Sequence, residues 1–443
     1  MIFNYDGMRK NGSFSEAVQY LLDLGHETLT IKLGLRNTEL LLQALDNPHH
    51  AFATVQIAGT NGKGSTAAML ESICRAAGIR TGLYTSPHLS SITERIKLNG
   101  VDISEEDFAR YTERVWAVSR ELVQSNELPA LPTFFEQVTA IALHAFREQS
   151  IELAILETGL GGRLDSTTAA GASVVGLTAI DMDHEEYLGN TIELIAAEKA
   201  ATIRPNVKVV IGRQRSEVLP VLLARCEEVG VSPVLDTFVR SFPEDNRVTL
   251  KTPEKTYANL RLGLAGPHQQ ENAAIAILLA EQLHPQFDIP RSAVVQGLET
   301  VRHPGRLELF DFKPEILLDG AHNPAGAVSL SNYFEVTSVP RPITMIFGAM
   351  REKPLSKLAE ILFPWADRLI VTKVKNSRTA DLESLVPLAH SFTKGKIHTV
   401  HTANEALELA LEMTPPDGLI CITGSLYLIG ELRPRILELV ANK

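Results

Sequence analysis

At 443 residues the chain is long for a single core, so two domains are expected. Its 53 acidic side chains outnumber 42 basic ones, for a formal net charge of −11. That balance argues against nucleic acid or an anionic membrane as the main partner, so any anion site must be a local concentration of positive charge.

Ser13-Phe-Ser-Glu16 has the spacing of a capping box, and the helix it starts would carry Phe14, Val18, Leu21 and Leu22 on one face. Ile31 to Arg36 leads into a second apolar helix, Thr38 to Leu45. Thr54-Val-Gln-Ile-Ala-Gly59-Thr-Asn-Gly62-Lys63-Gly64-Ser65-Thr66 then reads as a β-branched strand ending in a turn with three glycines, and a helix follows from Ala67. Glycines let backbone N–H groups close around an anion, a helix N-terminus adds about half a positive charge, and Lys63 adds a whole one. The Ser65 or Thr66 hydroxyl can meet a metal or a phosphate oxygen. The match to G-x-x-x-x-G-K-[ST] is partial, because two residues separate Gly59 from Gly62 and Gly64 interrupts Lys63 and Ser65. An ordinary glycine-rich turn is the bland alternative.

Ile79 to Tyr84 reads as a second strand, followed by Thr85-Ser-Pro-His-Leu89 and a polar loop to Gly100. Ser104 opens a helix to about Val123, and Thr133-Phe-Phe-Glu136 opens another to about Arg147. A buried strand, Leu153 to Glu157, meets Thr158-Gly-Leu-Gly-Gly-Arg163-Leu164-Asp165. A strand from Ser173 to Ile180 ends at Asp181-Met-Asp-His184, a helix from about Thr191 to Thr202 carries Glu198 and Lys199, and Val207 to Ile211 is the next strand. Strands alternating with helices imply a mostly parallel sheet whose ligands gather beyond the carboxyl ends of its strands. Gly59, Ser86, Glu157 and His184 all fall just past such ends.

From Thr237 to Leu264 the pattern turns to short alternating strands, a β-rich appendage. Pro267-His-Gln-Gln-Glu-Asn272 opens an alanine-rich helix, and Arg291 to Leu298 forms another. Val301-Arg-His-Pro-Gly-Arg306 is the linker candidate, which divides the chain into domains 1–300 and 301–443. Beyond it strands Ile316 to Asp319, Ile343 to Phe347, Leu369 to Thr372 and Leu419 to Thr423 alternate with helices from Pro324, Leu355, Asp381, Ala403 and about Leu426. The expected class is α/β throughout. Cys74, Cys226 and Cys421 are odd in number, far apart and in apolar contexts, so they read as buried free thiols. The chain does not open on a basic region followed by an apolar core, and its apolar runs fall short of the ~20 residues of a membrane span, so a soluble cytoplasmic protein is expected.

Gly59-Thr-Asn-Gly-Lys-Gly-Ser65, Ser86-Pro-His-Leu89 with Glu94-Arg-Ile-Lys-Leu-Asn-Gly100, Glu157-Thr-Gly-Leu-Gly-Gly-Arg-Leu-Asp165, and Asp183-His184 with Glu198-Lys-Ala200 resemble the folylpolyglutamate synthase and dihydrofolate synthase family. So do His268-Gln-Gln-Glu-Asn272, Pro304-Gly-Arg306, Asp319-Gly-Ala-His-Asn-Pro324 and Thr423-Gly-Ser425. The resemblance implies a Mur-ligase-like nucleotide-binding domain, a smaller C-terminal Rossmann-like domain, and an ATP-dependent ligase. That enzyme adds L-glutamate to dihydropteroate, or to the γ-carboxyl of a folate glutamate tail, and releases ADP and phosphate.

By the same resemblance Thr60, Asn61, Gly62, Lys63, Gly64, Ser65, Thr66, Asn272, Arg306 and Asp319 hold ATP. Ser86 and Glu157 hold one magnesium, and His184 with a carbamylated Lys199 holds a second; potassium or another monovalent cation is a further expectation. A lysine cation cannot ligate magnesium, whereas its carbamate offers anionic oxygens, and carbamate forms from a neutral amine. Lys63, Lys199 and His322 are the expected catalytic groups. Phe134, Phe135, Arg163, Leu164 and Asp165 are the pterin-side candidates, Ser425 is a glutamate contact, and the two domains would close on the substrates in a monomer. The chain carries Thr168 where the family usually has Asn, and Lys32 where bifunctional relatives often have an acidic residue; both bear on pterin preference. Two other readings stay open. A peptidoglycan Mur ligase shares the loop, but 58 residues before Gly59 are few for a preceding domain of about 100 residues. A non-catalytic ATP-binding module would not need the second set of acidic and histidine groups.

Overall fold

The computed structural model describes residues 12–25, 34–236, 239–241, 247–252 and 255–442. Lys32 and the rest of 31–33, and Thr237 at the start of the β-rich stretch, lie outside the described residues. The described chain forms two compact units. One gathers residues from Met1–His88, Ile92–Arg261 and Glu271–Val301, the other from Leu89–Ser91, Leu262–Gln270 and Arg302–Lys443.

In the first unit α1 (Phe14–Asp23) and α2 (Arg36–Ala44) precede β1 (Ala53–Ala58), which α3 (Lys63–Ala76) connects to β2 (Thr81–Tyr84). Short strands β3 (Ile96–Leu98) and β4 (Val101–Asp102) lead to α4 (Glu105–Gln124), α5 (Phe134–Glu148) and β5 (Leu153–Glu157). There follow β6 (Val174–Leu177), α6 (Glu185–Leu188), α7 (Ile192–Ala200), β7 (Lys208–Ile211), α8 (Leu219–Glu228) and β8 (Pro233–Leu235). The eight strands lie in the order β4-β3-β2-β5-β1-β6-β7-β8, parallel from β2 to β8 and antiparallel at β3 and β4.

Burial explains these elements. All five residues of β5 are buried, as a strand covered on both faces requires. Its Ala154 and Leu156 pack with α1, α2, α4 and α5, whereas Val175 and Leu177 of β6 pack with α7 and α8 in a separate cluster. Both anticipated capping boxes form, Ser13 with Glu16 and Thr133 with Glu136. The apolar face of α1 differs by one position: Leu22 is 46% exposed, and Ala17 and Tyr20 are buried with Leu21. Tyr20 takes the place because its hydroxyl reaches Gln137 Oε1 at 2.9 Å, satisfying a polar group that burial would otherwise penalise.

The β-rich stretch is a three-stranded antiparallel sheet of β9 (Val239–Ser241), β10 (Arg247–Lys251) and β11 (Thr256–Arg261). Then come α9 (His268–Gln282) and α10 (Arg291–Thr300). The second unit contains β12 (Glu308–Phe310), β13 (Glu315–Leu318), α11 (Pro324–Val336), β14 (Ile343–Phe347), α12 (Leu355–Leu362) and β15 (Arg368–Val371). It continues through α13 (Leu382–Phe392), β16 (Lys396–Thr399), α14 (Ala403–Met413), β17 (Leu419–Thr423) and α15 (Leu426–Ala441). Its six strands run β12-β13-β17-β14-β15-β16, and β12 alone is antiparallel to its neighbour. Cys74, Cys226 and Cys421 are buried and free. Among the described residues no helix is long and apolar enough to cross a membrane.

One close contact positions the helix that begins at the glycine-rich loop. Gly297 of α10 lies so near α3 that a Cβ there would sit 2.5 Å from the backbone N and Cα of Ile73, and Ser72 Oγ donates to Gly297 O at 2.8 Å. Backbone cannot yield as a side-chain tip can. Gly297→Ala is therefore expected to destabilise by about 1–3 kcal/mol of overpacking, outweighing the ~1 kcal/mol that alanine normally gains in a helix. Urea unfolding checks this, and an unchanged or raised midpoint would show that the two helices separate at no cost.

Candidate active site

The loop after β1 is held in place by backbone geometry. Gly59 has φ +150° and Gly62 φ +86°; a Cβ on the first would meet Thr178 Oγ1 at 1.9 Å, and on the second Asn272 Oδ1 at 2.2 Å. The amides of Thr60 and Asn61 both donate to Ala179 O, at 2.9 and 3.1 Å. Thr60 Oγ1 donates to Asp181 O at 3.0 Å and accepts from Asp181 N at 3.1 Å. The turn is thus stitched to the segment leaving β6. Helix α3 starts at Lys63, not at Ala67, so Lys63, Gly64, Ser65 and Thr66 form its first turn; the Thr66 amide donates to Gly62 O at 2.8 Å, closing that turn, and such a helix start favours an anion. Lys63 Nζ donates to Thr60 O at 3.2 Å, which keeps the ammonium folded over the loop.

Lys199, on α7, is 5% exposed and donates from Nζ to Gly59 O at 2.8 Å. Burial lowers its pKa to about 7, helped by the charge of Lys63 and opposed by Asp183 and Asp165. Near neutral pH a substantial share of this amine is therefore uncharged. The neighbouring loop packs hard on the same helix: a Cβ on Gly162 would lie 3.0 Å from Glu198 O, and Arg163 N donates to that carbonyl at 3.0 Å.

Glu157 is the last residue of β5, 6% exposed and paired across the sheet with Ile57, two residues before Gly59. Its Oε2 accepts from Ser86 N at 3.2 Å, so the loop after β2 brings Ser86 to that carboxylate. His184 has φ +52°; its amide donates to Asp183 Oδ1 at 3.0 Å, and its Nε2 lies 3.9 Å from Asp183 Oδ2. Among the described residues no group of three or more His, Cys, Asp or Glu could hold a metal alone. The Ser86 and Glu157 pair still fits magnesium, which takes one or two protein oxygens and fills its octahedron with water and phosphate.

The pterin-side candidates separate. Phe134 is 3% exposed in the core, with the Arg95 guanidinium 5.3 Å from its ring centroid, so its faces are occupied. Phe135 is half-buried, its ring close enough to Gly159 that a Cβ there would meet it at 2.5 Å. Asp165 is 5% exposed and braces its own loop: Oδ2 accepts from Gly159 N and Leu160 N at 2.8 and 2.9 Å, and Oδ1 from Thr167 N at 3.0 Å and from the Thr167 hydroxyl. Arg163 is exposed and forked onto Glu198 at 3.0–3.1 Å, and Leu164 is half-buried. Thr168 ties this loop to β1: its hydroxyl donates to Gly162 O at 2.8 Å and accepts from Gln56 Nε2 at 2.7 Å.

In the second unit Asp319 accepts from Leu307 N through Oδ2 and from Ala321 N through Oδ1, both at 3.0 Å. Burial raises its pKa to about 6 against the lowering effect of Arg306. Arg306 Nη1 would lie 2.6 Å from a Cβ on Gly320, so the guanidinium rests on that glycine. His322 Nδ1 donates to Gly320 O at 2.7 Å, a bond that fixes which ring nitrogen carries the proton. Ser425 is 2% exposed and caps α15, its Oγ accepting from Tyr427 N at 3.1 Å. Asn272 belongs to the first unit, on α9, 6% exposed. The motifs do not single out Thr178 and Asp181, which anchor the loop; their place among the strand-end residues after β6 is the available signal.

Comparison with known proteins gives the family. Residues 57–280 match the Mur ligase middle domain, and residues 305–426 match the Mur ligase glutamate ligase domain. The Bacillus subtilis dihydrofolate synthase/folylpolyglutamate synthase is 32% identical over 415 residues, 92% of this chain and 95% of that one. A Haloferax volcanii protein named "probable bifunctional folylpolyglutamate synthase/dihydropteroate synthase" is also 32% identical over 430 residues, 95% of this chain, and the chain spans about half its length (50%). Among solved structures, the Mycobacterium tuberculosis folylpolyglutamate synthase complexed with ADP superposes with a TM-score of 0.87 at 30% identity, covering 94% of this chain and 97% of that one. A bifunctional folylpolyglutamate synthase/dihydrofolate synthase with Mn, AMPPNP and L-glutamate bound gives 0.83 at 26% identity, covering 96% and 98%. Matched across both units and along most of its length, the chain belongs to the folylpolyglutamate synthase and dihydrofolate synthase family of the Mur ligases, ATP-dependent ligases of folate metabolism.

Proposed function

We propose that the protein joins the amine of L-glutamate to a carboxylate of dihydropteroate, of a folate glutamate tail, or of both, through an acyl phosphate. The observation that carries the reading is the meeting of three elements at the carboxyl ends of adjacent strands: the loop of Gly59 to Thr66, the Glu157 and Ser86 pair, and Lys199 against Gly59 O. The nucleotide, manganese and glutamate in the related structure support it.

A carboxylate resists amines because oxide would have to leave. Its oxygen therefore attacks the γ-phosphorus of ATP, ADP departs, and phosphate becomes the leaving group when the glutamate amine adds to the carbonyl. The first step brings two anions together. Lys63 and the N–H groups of α3 hold the phosphates and oppose the charge on the transferred phosphoryl. Asn272 and the remaining loop residues shape the cradle, while Arg306 and Asp319 are the second unit's proposed nucleotide contacts and His322 and Ser425 its proposed active-site and glutamate contacts. Bound magnesium, held by Ser86 and Glu157 and by His184 with Lys199, would supply charge neutralisation at the phosphates. For that role Lys199 must become a carbamate: its neutral amine adds to carbon dioxide, releasing a proton. Phe135 is the pterin-side ring left with a half-buried position, and Asp165 acts by holding the 159–165 loop.

Purified protein with Mg-ATP and labelled L-glutamate, offered dihydropteroate and tetrahydrofolate in parallel, tests the assignment. Label should enter at least one pterin product with equimolar phosphate; ATP binding without glutamate-dependent phosphate release would refute it. Lys63→Ala or Glu157→Ala is expected to cut amide formation by about 100- to 1000-fold with the melting temperature nearly unchanged. Full turnover in either variant would contradict these roles.

Carbamate formation has a pH signature. Because the Lys199 pKa lies near 7, the neutral amine gains between about pH 6 and 8, so turnover at fixed dissolved carbon dioxide should climb through that window. A carbamate resonance should appear in 13C NMR with labelled bicarbonate and vanish in Lys199→Arg. A signal equally strong in that variant would place the modification elsewhere.

A further inference from the structure

Gln56 lies in the middle of β1, a strand buried on both faces, and its side chain is fully buried. An apolar residue is the usual occupant of such a position. Both N–H groups of the amide are used: Nε2 donates to Thr167 Oγ1 at 2.9 Å and to Thr168 Oγ1 at 2.7 Å. Its Oε1 is buried without a hydrogen-bond partner among the described residues. For stability alone an apolar side chain would serve better, because a buried acceptor left unpaired costs free energy. What the glutamine adds is direction.

A hydroxyl that accepts from this amide sends its own proton elsewhere. The Thr167 hydroxyl donates to Asp165 Oδ1, and the Thr168 hydroxyl to Gly162 O at 2.8 Å. Asp165 Oδ1 also takes Thr167 N at 3.0 Å, capping the short 3-10 turn Ser166–Ala170, and Oδ2 takes Gly159 N and Leu160 N at 2.8 and 2.9 Å. A continuous series of hydrogen bonds therefore runs from the centre of β1 to Gly159, which lies against the Phe135 ring so closely that a Cβ there would meet it at 2.5 Å. Neighbouring parts of the loop have braces that do not pass through Gln56. Thr158 N donates to Ile57 O at 3.0 Å next to Glu157, and Arg163 N donates to Glu198 O at 3.0 Å next to Lys199. Losing the amide would therefore loosen Gly159 and Leu160 more than Glu157 or Lys199.

We propose that Gln56 is a positioning residue for the pterin substrate: through Thr167 and Asp165 it sets the place of Gly159, and with it the seat of the Phe135 ring. The inference rests on the reading of Phe135 as the pterin-side ring. Gln56 acts only through these residues, so its effect falls on how well the pterin is held and not on the phosphate chemistry.

The test is steady-state kinetics of glutamate ligation, with whichever pterin substrate the wild type uses, on wild type, Gln56→Met, Thr167→Val and the double variant, together with hydrogen–deuterium exchange. Methionine keeps the length of glutamine and removes both donors. In Gln56→Met the KM for the pterin should rise about fivefold or more, while kcat and the KM for Mg-ATP and for L-glutamate stay within about twofold of wild type. Exchange should quicken at the Gly159 and Leu160 amides relative to Arg163. Thr167→Val, which leaves β1 intact, should reproduce both changes and applies the same test should Gln56→Met not fold; the double variant should add little to the larger single effect, because the residues form one series. A merely structural role would lower kcat per mole of total protein and leave every KM in place. Wild-type turnover of the pterin carries the underlying reading, so an unchanged pterin KM in the folded variants would overturn this inference alone. Equal rises in the KM of all substrates, or unchanged exchange at Gly159 and Leu160, would overturn it as well.

Discussion

A buried lysine with a second lysine's charge nearby does not keep its proton cheaply. Lys63 sits on the first turn of α3, folded over the glycine-rich loop, while Lys199 is buried with its Nζ on the carbonyl of Gly59. Desolvation and the charge of Lys63 push the Lys199 proton off near neutral pH. In the proposed reaction Lys63 faces phosphate and the uncharged Lys199 amine is the group that reacts with carbon dioxide. The Lys199 bond to Gly59 O also sets the register of the loop against α7.

That register depends on backbone contact. Gly59 and Gly62 allow the loop to come within van der Waals reach of Thr178 and Asn272, where any Cβ would collide. The segment after β6 answers with Ala179 O and Asp181, and Gly162 lets the 159–165 loop press on α7 next to Lys199. These contacts tie the loop after β1 to the segment leaving β6 and to α9, and the 159–165 loop to α7, so the site is a property of the sheet's topology and not of one motif.

Much of this is legible in residue order, and the reasons for the remainder are physical. Runs such as Leu153–Glu157, Ile343–Phe347 and Leu419–Thr423 are buried throughout, and their apolar character marks them as strands. Both capping boxes announce their helices because the code is local, four residues long. Edge strands β12 and β16 escape notice: their residues are half-buried or exposed apart from Phe310, and Lys396-Ile-His-Thr has little apolar pattern to read. Helix α8 and strand β8 are hard to read for a similar reason, since only Leu222 and Cys226 of the helix, and no residue of the strand, are fully buried. At the site, residue type does not disclose what a side chain is already doing. Asp165 reads as a ligand-facing carboxylate until its oxygens are found on three backbone amides and a hydroxyl. Phe134 and Phe135 look equivalent, yet successive helical positions point about 100° apart, and one ring is lost to the core.

The chemistry attributed to the cradle makes one claim about atoms: a carboxylate oxygen of the pterin substrate attacks ATP and leaves with the phosphate. Substrate labelled with 18O in that carboxylate, followed by mass analysis of the released phosphate, reads it directly. One 18O per phosphate is the predicted result, and unlabelled phosphate accompanied by normal amide formation would contradict the acyl-phosphate route and the charge arrangement built around it.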